Sequence, residues 1–157
     1  TTRPGLYPLL TGRENLHFFG GLYGLDAAEV DARTGPLLER LDMRDHLDRP
    51  ASSGSAGMQQ KISLARALLL QPRILLLDEP TANLDPISTH HIHEVVQEEA
   101  KSGVGIVLCT HDLHAASHVC DRAVVLAGRV VADEPLDGPR RPPPRSALHH
   151  LYAQASE

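Results

Sequence analysis

The stretch Ile74-Leu75-Leu76-Leu77-Asp78-Glu79-Pro80-Thr81-Ala82-Asn83-Leu84-Asp85-Pro86 decides the fold. Four aliphatic residues run straight into two adjacent carboxylates, and a proline stops the run. A continuous apolar tetrad predicts a strand buried on both faces, as in a parallel sheet. Open α/β sheets place their ligands just outside the carboxyl ends of such strands. Two acids at that point are costly unless a cation or a reacting water meets them. Asp78-Glu79 alone would also suit a core strand running into an acidic turn, so the flanking sequence has to decide.

Downstream, Pro86 at a first helical position opens a helix over 86–101, which Gly103 closes. Gly105-Ile106-Val107-Leu108-Cys109-Thr110 predicts a second buried strand, and 113–119 a short helix. Strands over 122–126 and 129–132 flank Ala127-Gly128, a hairpin signal. Upstream, the pattern over 58–70 is strongly helical, with Ile62, Leu64, Ala65, Ala67, Leu68 and Leu69 on its apolar positions. Gln71-Pro72 ends it. Residues 47–57 are rich in Ser and Gly and read as a loop. A helix over 27–41 carries Val30, Leu37, Leu38 and Leu41 on one side, with Gly35-Pro36 as an expected interruption. The spacing of Thr11 and Glu14 is that of a capping box, and Leu16, Phe19 and Tyr23 then recur at helical intervals. Residues 1–8 read as extended, 135–145 as a proline-rich linker, and 146–155 as a final short helix.

Composition narrows the function classes. The 157 residues suit one domain or part of a larger one. Lys+Arg 15 against Asp+Glu 20 leaves a net charge of −5 with no basic block, so nucleic acid is not expected as a partner. No apolar run approaches the roughly 20 residues that cross a bilayer. Cys109 and Cys120 are too few for a disulfide framework and fit a reducing, intracellular setting.

Three motifs then stand in a fixed order. Ser55-Ala56-Gly57-Met58-Gln59-Gln60-Lys61 lies at a helix start, Asp78-Glu79 at one strand end and Thr110-His111-Asp112 at the next. Over residues 4–132 the chain resembles the nucleotide-binding domain of ABC transporters, and the ordered set carries far more information than any member. The resemblance implies an α/β fold: part of a P-loop NTPase (RecA-like) core of mainly parallel strands, with an ABC-type helical subdomain. It divides the chain into a helical part over 1–70, a core part over 71–134 and a linker and tail over 135–157. By the same resemblance Asp78 matches the Walker B aspartate that holds Mg²⁺ of MgATP, usually through water. Glu79 matches the glutamate that polarises the attacking water, and His111 the switch histidine on the γ-phosphate. Ser55, Ala56, Gly57, Met58 and Gln59 match the signature motif, whose backbone N–H groups and helix start face the phosphate of an ATP held by the opposite subunit. Asp85 matches the loop that meets that subunit.

The implied protein is an ATP-binding and ATP-hydrolysing subunit on the inner face of the cell membrane. Its implied partners are a membrane-spanning subunit and a second ATPase subunit, joined head to tail. The region from Glu14-Asn15-Leu16 to Leu22-Tyr23-Gly24-Leu25 looks most like subunits of ABC-2 type exporters, where Phe18 and Phe19 would serve as core or subunit contacts. Three departures stand out. No Gly-x-x-x-x-Gly-Lys-Ser/Thr occurs, so the segment alone is expected to be inactive and to be the C-terminal part of its domain, cut before Thr1. Thr2 stands where a metal-contacting glutamine is usual, and Gly54 where a leucine or aromatic is usual, which predicts a looser helix start. The alternatives are a degenerate partner offering only signature and loop contacts, or an ABC ATPase outside transport. His111, His114, His118 and Cys120 also raise a zinc reading, weakened by the absence of paired-cysteine spacing. His90, His91 and His93 read as a solvated helix face.

Overall fold

The computed structural model describes residues 5–136. Thr2, most of the proline-rich stretch and the expected helix over 146–155 lie outside the described residues. Those described fall into two compact units that part between Val107 and Leu108.

The first unit is built on four helices: α1 (Gly12–Leu22), α2 (Ala27–Arg40), α3 (Ala56–Leu68) and α4 (Pro86–Lys101). Each start is fixed by a side chain that satisfies an otherwise orphaned backbone N–H. Thr11 and Glu14 form the expected capping box, with the Glu14 N–H donating to Thr11 Oγ1 at 3.1 Å and the Thr11 N–H to Glu14 Oε2 at 2.8 Å. Asp26 and Glu29 form a second one at α2. Two short 3₁₀ turns, Arg44–His46 and Ala51–Ser53, carry the chain from α2 to α3.

The helices share one aliphatic core. Leu16 of α1, Val30, Leu37 and Leu38 of α2, Ile62, Leu64, Ala65 and Leu68 of α3, and Ile92, Val95 and Val96 of α4 are all buried. Leu41 and Met43, just after α2, close it. Each full burial of an aliphatic side chain contributes roughly 1.5–3 kcal/mol. That packing carries α2 unbroken through Pro36, where an interruption was expected. Arg40 adds a surface clamp from α2 to Glu98 and Glu99 of α4.

β1 (Ile74–Asp78) follows α3, and β2 (Gly105–Cys109) is its hydrogen-bonded neighbour. The helix-length connection through α4 is what a parallel pair requires. Neither strand is buried on both faces as the apolar runs predicted. Leu75 is buried, but Ile74 is 67%, Leu76 73% and Val107 53% exposed. A strand's side chains alternate between faces, and among the described residues only one face of this pair is covered.

The second unit holds α5 (Leu113–Val119) and an antiparallel hairpin of β3 (Arg122–Leu126) with β4 (Val130–Pro135). Gly128 takes the turn at φ +68°, and the register shifts between Val125 and Leu126. β4 starts one residue later and runs further than the sequence predicted. Arg122 reaches across to Asp133 through two hydrogen bonds of 2.7 and 2.6 Å. No helix among the described residues is long and apolar enough to cross a membrane.

Candidate functional site

Two capped helix starts form the centre of the site. Ser55, extended at φ −61° and ψ 163°, caps α3 by accepting from the Met58 N–H at 3.2 Å. Gly54 does not loosen this start: its backbone is extended, and its carbonyl accepts from Gln59 Nε2 at 3.0 Å. Asp85 caps α4 by accepting from the Ser88 N–H at 2.9 Å. The Ser88 hydroxyl first, and its N–H second, hold the Asp85 carboxyl below the usual carboxylate range.

The two starts touch. Gly57 is buried, and a Cβ added there would stand 2.9 Å from Ser88 Cβ and 3.3 Å from Asp85 Oδ2. Both distances are too short for an unshifted side chain, so the absence of one at Gly57 lets α3 lie directly on α4. Ser55 and Ala56 remain exposed beside this contact, with Met58 and Gln59 half-buried.

One turn along, Lys61 is 5% exposed, and its Nζ lies 2.9 Å from His91 Nδ1. Burial pushes the Lys61 ammonium below the usual lysine range, while the charges of Asp42 and Asp85 act the other way. His91 is therefore not part of a solvated face, and His93 is half-buried. Only His90, beside Glu94, fits that expectation. Lys61, Ser88 and His91 went unnoticed as site residues. The available signals were the four-residue step from Gly57 to Lys61 and the three-residue steps from Asp85 to Ser88 to His91, which put each set on one helix face.

Asp78 ends β1 as an exposed carboxylate, not a buried acid in need of rescue. It borders an open hollow with Gln60, Ser63 and Arg66 of α3. A solvent-facing carboxylate at a strand end suits a hydrated divalent cation, which keeps several of its waters. Glu79 is half-buried and left-handed at φ +46°, and the exposed Asn83 is left-handed too, at φ +59°. The turn between them is tied by the Ala82 N–H to the Glu79 carbonyl at 3.3 Å and the Leu84 N–H to the Thr81 carbonyl at 3.3 Å. Non-glycine residues with positive φ store backbone strain of about 1–3 kcal/mol and gather at working sites. His111 lies in the second unit, exposed just past β2, where the Asp112 N–H donates to Thr110 Oγ1 at 3.0 Å.

The structure thus brings Ser55, Gly57 and Asp85 together within the first unit, sets Asp78 and Glu79 at its strand end, and leaves His111 in the other unit.

Tyr7, ahead of α1, and Phe18 and Phe19 of α1 form an aromatic cluster, with Tyr7 and Phe18 edge to face at 4.8 Å. The Arg66 guanidinium lies 4.5 Å from the Phe19 ring centre. Phe18 is 41% exposed, and Leu22 and Tyr23 beside it are more so.

The chain is similar to known proteins in sequence and in fold. A family model described as ABC transporter matches residues 1–82. The ABC transporter ATP-binding protein NatA of Bacillus subtilis (strain 168) is 38% identical over 149 residues, which is 94% of this chain and 56% of that protein. A solved ATP binding subunit of ABC transporter superposes with a TM-score of 0.81 at 36% identity, over 99% of this chain and 66% of the other. A dimeric ATP-binding cassette in a post-hydrolysis state bound to ADP and Pi superposes with a TM-score of 0.75 at 28% identity, over 88% and 62%. The chain spans about half the length of the curated relatives it matches, 56% and 41% of the first two.

Proposed function

The chain belongs to the ABC transporter family, and from that premise we propose that the whole protein binds and hydrolyses MgATP to drive transport through a separate membrane-spanning subunit. The observation that carries this reading is the contact of the two capped helix starts at Gly57 and Ser88. It puts the exposed Ser55-Ala56 edge of α3 beside Asp85, so one surface offers both a phosphate-facing helix start and a carboxylate for a second subunit.

In this reading two ATPase subunits close head to tail around ATP. Phosphoryl transfer to water asks chiefly for positioning and for neutralisation of charge. Asp78 would hold Mg²⁺, which supplies that neutralisation when bound. Glu79 orients and polarises the attacking water, and His111 donates to the γ-phosphate. Ser55 and the backbone of 56–59 meet the phosphates of the ATP held by the opposite subunit. The 157 residues contain no Gly-x-x-x-x-Gly-Lys-Ser/Thr, so this segment by itself neither holds ATP tightly nor turns it over.

The exposed aromatic edge of α1 supports a docked membrane partner, and with it a position on the cytoplasmic face of the membrane as part of the proposal. The likeness of residues 14–25 to ABC-2 type subunits supports export as the direction.

The test uses the whole protein reconstituted with its membrane subunit in vesicles. Hydrolysis of MgATP that is lost in Glu79→Gln while nucleotide binding persists is the expected result. Solute movement away from the ATP-bearing side marks export, and movement toward it marks import. Absence of hydrolysis by the unsubstituted protein overturns the reading. Activity that arises only on mixing with another ATPase subunit replaces it with a partner that contributes contacts alone.

A further inference from the structure

The Gly57–Ser88 contact sets how closely α3 and α4 approach, but, made without a side chain, it leaves the helix starts the freedom of small rotations, which only the apolar core then opposes. A directional bond one turn away removes that freedom, and Lys61 with His91 supplies one at 2.9 Å. An ammonium carries only donors, so His91 Nδ1 accepts and the ring proton sits on Nε2. The charged groups facing the ammonium are Asp42, just beyond α2, and Asp85, the cap of α4, while the His90 ring lies 6.2 Å from that of His91.

Stability alone does not account for a lysine here. Lysine is almost never buried this deeply unless paired, and an apolar side chain of similar volume at this place avoids the cost of desolvating a charge. A methionine at 61 would fill a similar volume without desolvating a charge. What the lysine adds is direction.

We infer that Lys61, acting through His91, is a positioning residue: it locks Asp85 and the start of α4 in rotation against Ser55 and Gly57, so that both face the second subunit together. This rests on the proposed ATPase reading. Lys61 touches no nucleotide in this role. Its loss leaves ATP binding to one subunit intact and misaligns the two helix starts only when the pair closes.

The experiment measures kcat, KM for MgATP, equilibrium binding of a fluorescent ATP analogue and the thermal midpoint, using the whole protein with its membrane subunit. Misalignment of a positioned group costs up to about a hundredfold, and Lys61→Met is expected to lower kcat about tenfold. KM and analogue affinity stay within about twofold and the thermal midpoint is unchanged or raised, because a buried charge has been removed. Lys61→Arg, which keeps a donor for His91, recovers most of kcat. His91→Leu matches Lys61→Met in kcat, and the double variant is no slower than either, as expected for two members of one interaction. His91→Leu also lowers the thermal midpoint, because it leaves the Lys61 ammonium buried without that partner. The double variant has no such charge and carries the test if a single variant does not fold. Wild-type kcat in Lys61→Met, or kcat and thermal midpoint falling together with no recovery in Lys61→Arg, overturns the inference alone. No hydrolysis by the unsubstituted protein overturns the ATPase reading, and this role falls with it.

Discussion

Gly57 and Ser88 meet with no room for a side chain between them: a Cβ on Gly57 would stand 2.9 Å from Ser88 Cβ. The obstacle is a short, buried side chain at a helix start, which cannot swing away as a long one would. Gly57→Ala is therefore expected to destabilise the fold by about 1–3 kcal/mol, the usual cost of overpacking. The gain in helix propensity offsets up to about 1 kcal/mol of that. Pairing the change with Ser88→Gly reopens the space and restores part of the loss. Chemical denaturation of the single and double variants checks this, and a neutral Gly57→Ala would show that the helices part freely.

Glu79 separates a backbone demand from a side-chain one. Its φ of +46° belongs to the left-handed region, where a Cβ costs about 1–2 kcal/mol. Glu79→Gly and Glu79→Ala both remove the carboxylate, so any contact it makes is lost equally in each. The glycine variant should be the more stable by about 1 kcal/mol, less the extra freedom glycine gains when unfolded. Both should abolish hydrolysis in the whole protein. Equal stabilities would mean that the turn adjusts to φ below zero once the carboxylate is gone.

The parts of this molecule that were legible in the sequence are those fixed by local chemistry. Thr11 with Glu14 and Pro86 at a first helical position announce helix starts, whereas the apolar pattern over 58–70 missed the first turn of α3, which begins at Ala56 behind its Ser55 cap. The resemblance implied roles for Asp78, Glu79 and His111, which stand as proposals, but said nothing of their surroundings. Burial of β1 was misread because an apolar run says that a strand can be buried, not how many neighbours cover it. His91 was misread for a related reason: whether a histidine faces water or Lys61 depends on how α3 and α4 pack, and that is set by Gly57, far off in sequence.

Acid should act through the helix caps. The Thr11 N–H, and after it the Thr11 hydroxyl, hold the Glu14 carboxyl below the usual glutamate value. A carboxyl with a lowered folded value stabilises fully above its unfolded value, about 4.3, and loses that contribution as pH falls through the lower folded one. Glu14→Gln keeps an acceptor for the Thr11 N–H but does not titrate. Its thermal midpoint should fall less between pH 6 and pH 3 than that of the unsubstituted chain. Asp48, hydrogen-bonded by Arg13, and Asp85 are shifted the same way and leave a residual slope. Identical slopes in the two proteins would sink the assignment to Glu14.

Adjacent glycines in α1 should respond with opposite signs. A Cβ on Gly20 would run into a Val30 methyl of α2 and approach Leu69 Cδ2 to 3.4 Å, whereas one on Gly21 meets nothing within 4 Å. Val30 is fully buried and β-branched, so it cannot rotate out of the way. Gly20→Ala should therefore cost about 1–3 kcal/mol through overpacking, net of its helix propensity. Gly21→Ala should stabilise by roughly 0.5–1 kcal/mol, since only propensity changes there. Adding Val30→Ala to Gly20→Ala removes the clash but opens space elsewhere, so the double variant recovers part of the loss and no more. Denaturant midpoints for the three variants decide the matter. Stabilisation by Gly20→Ala would mean that α1 and α2 sit further apart than this packing requires.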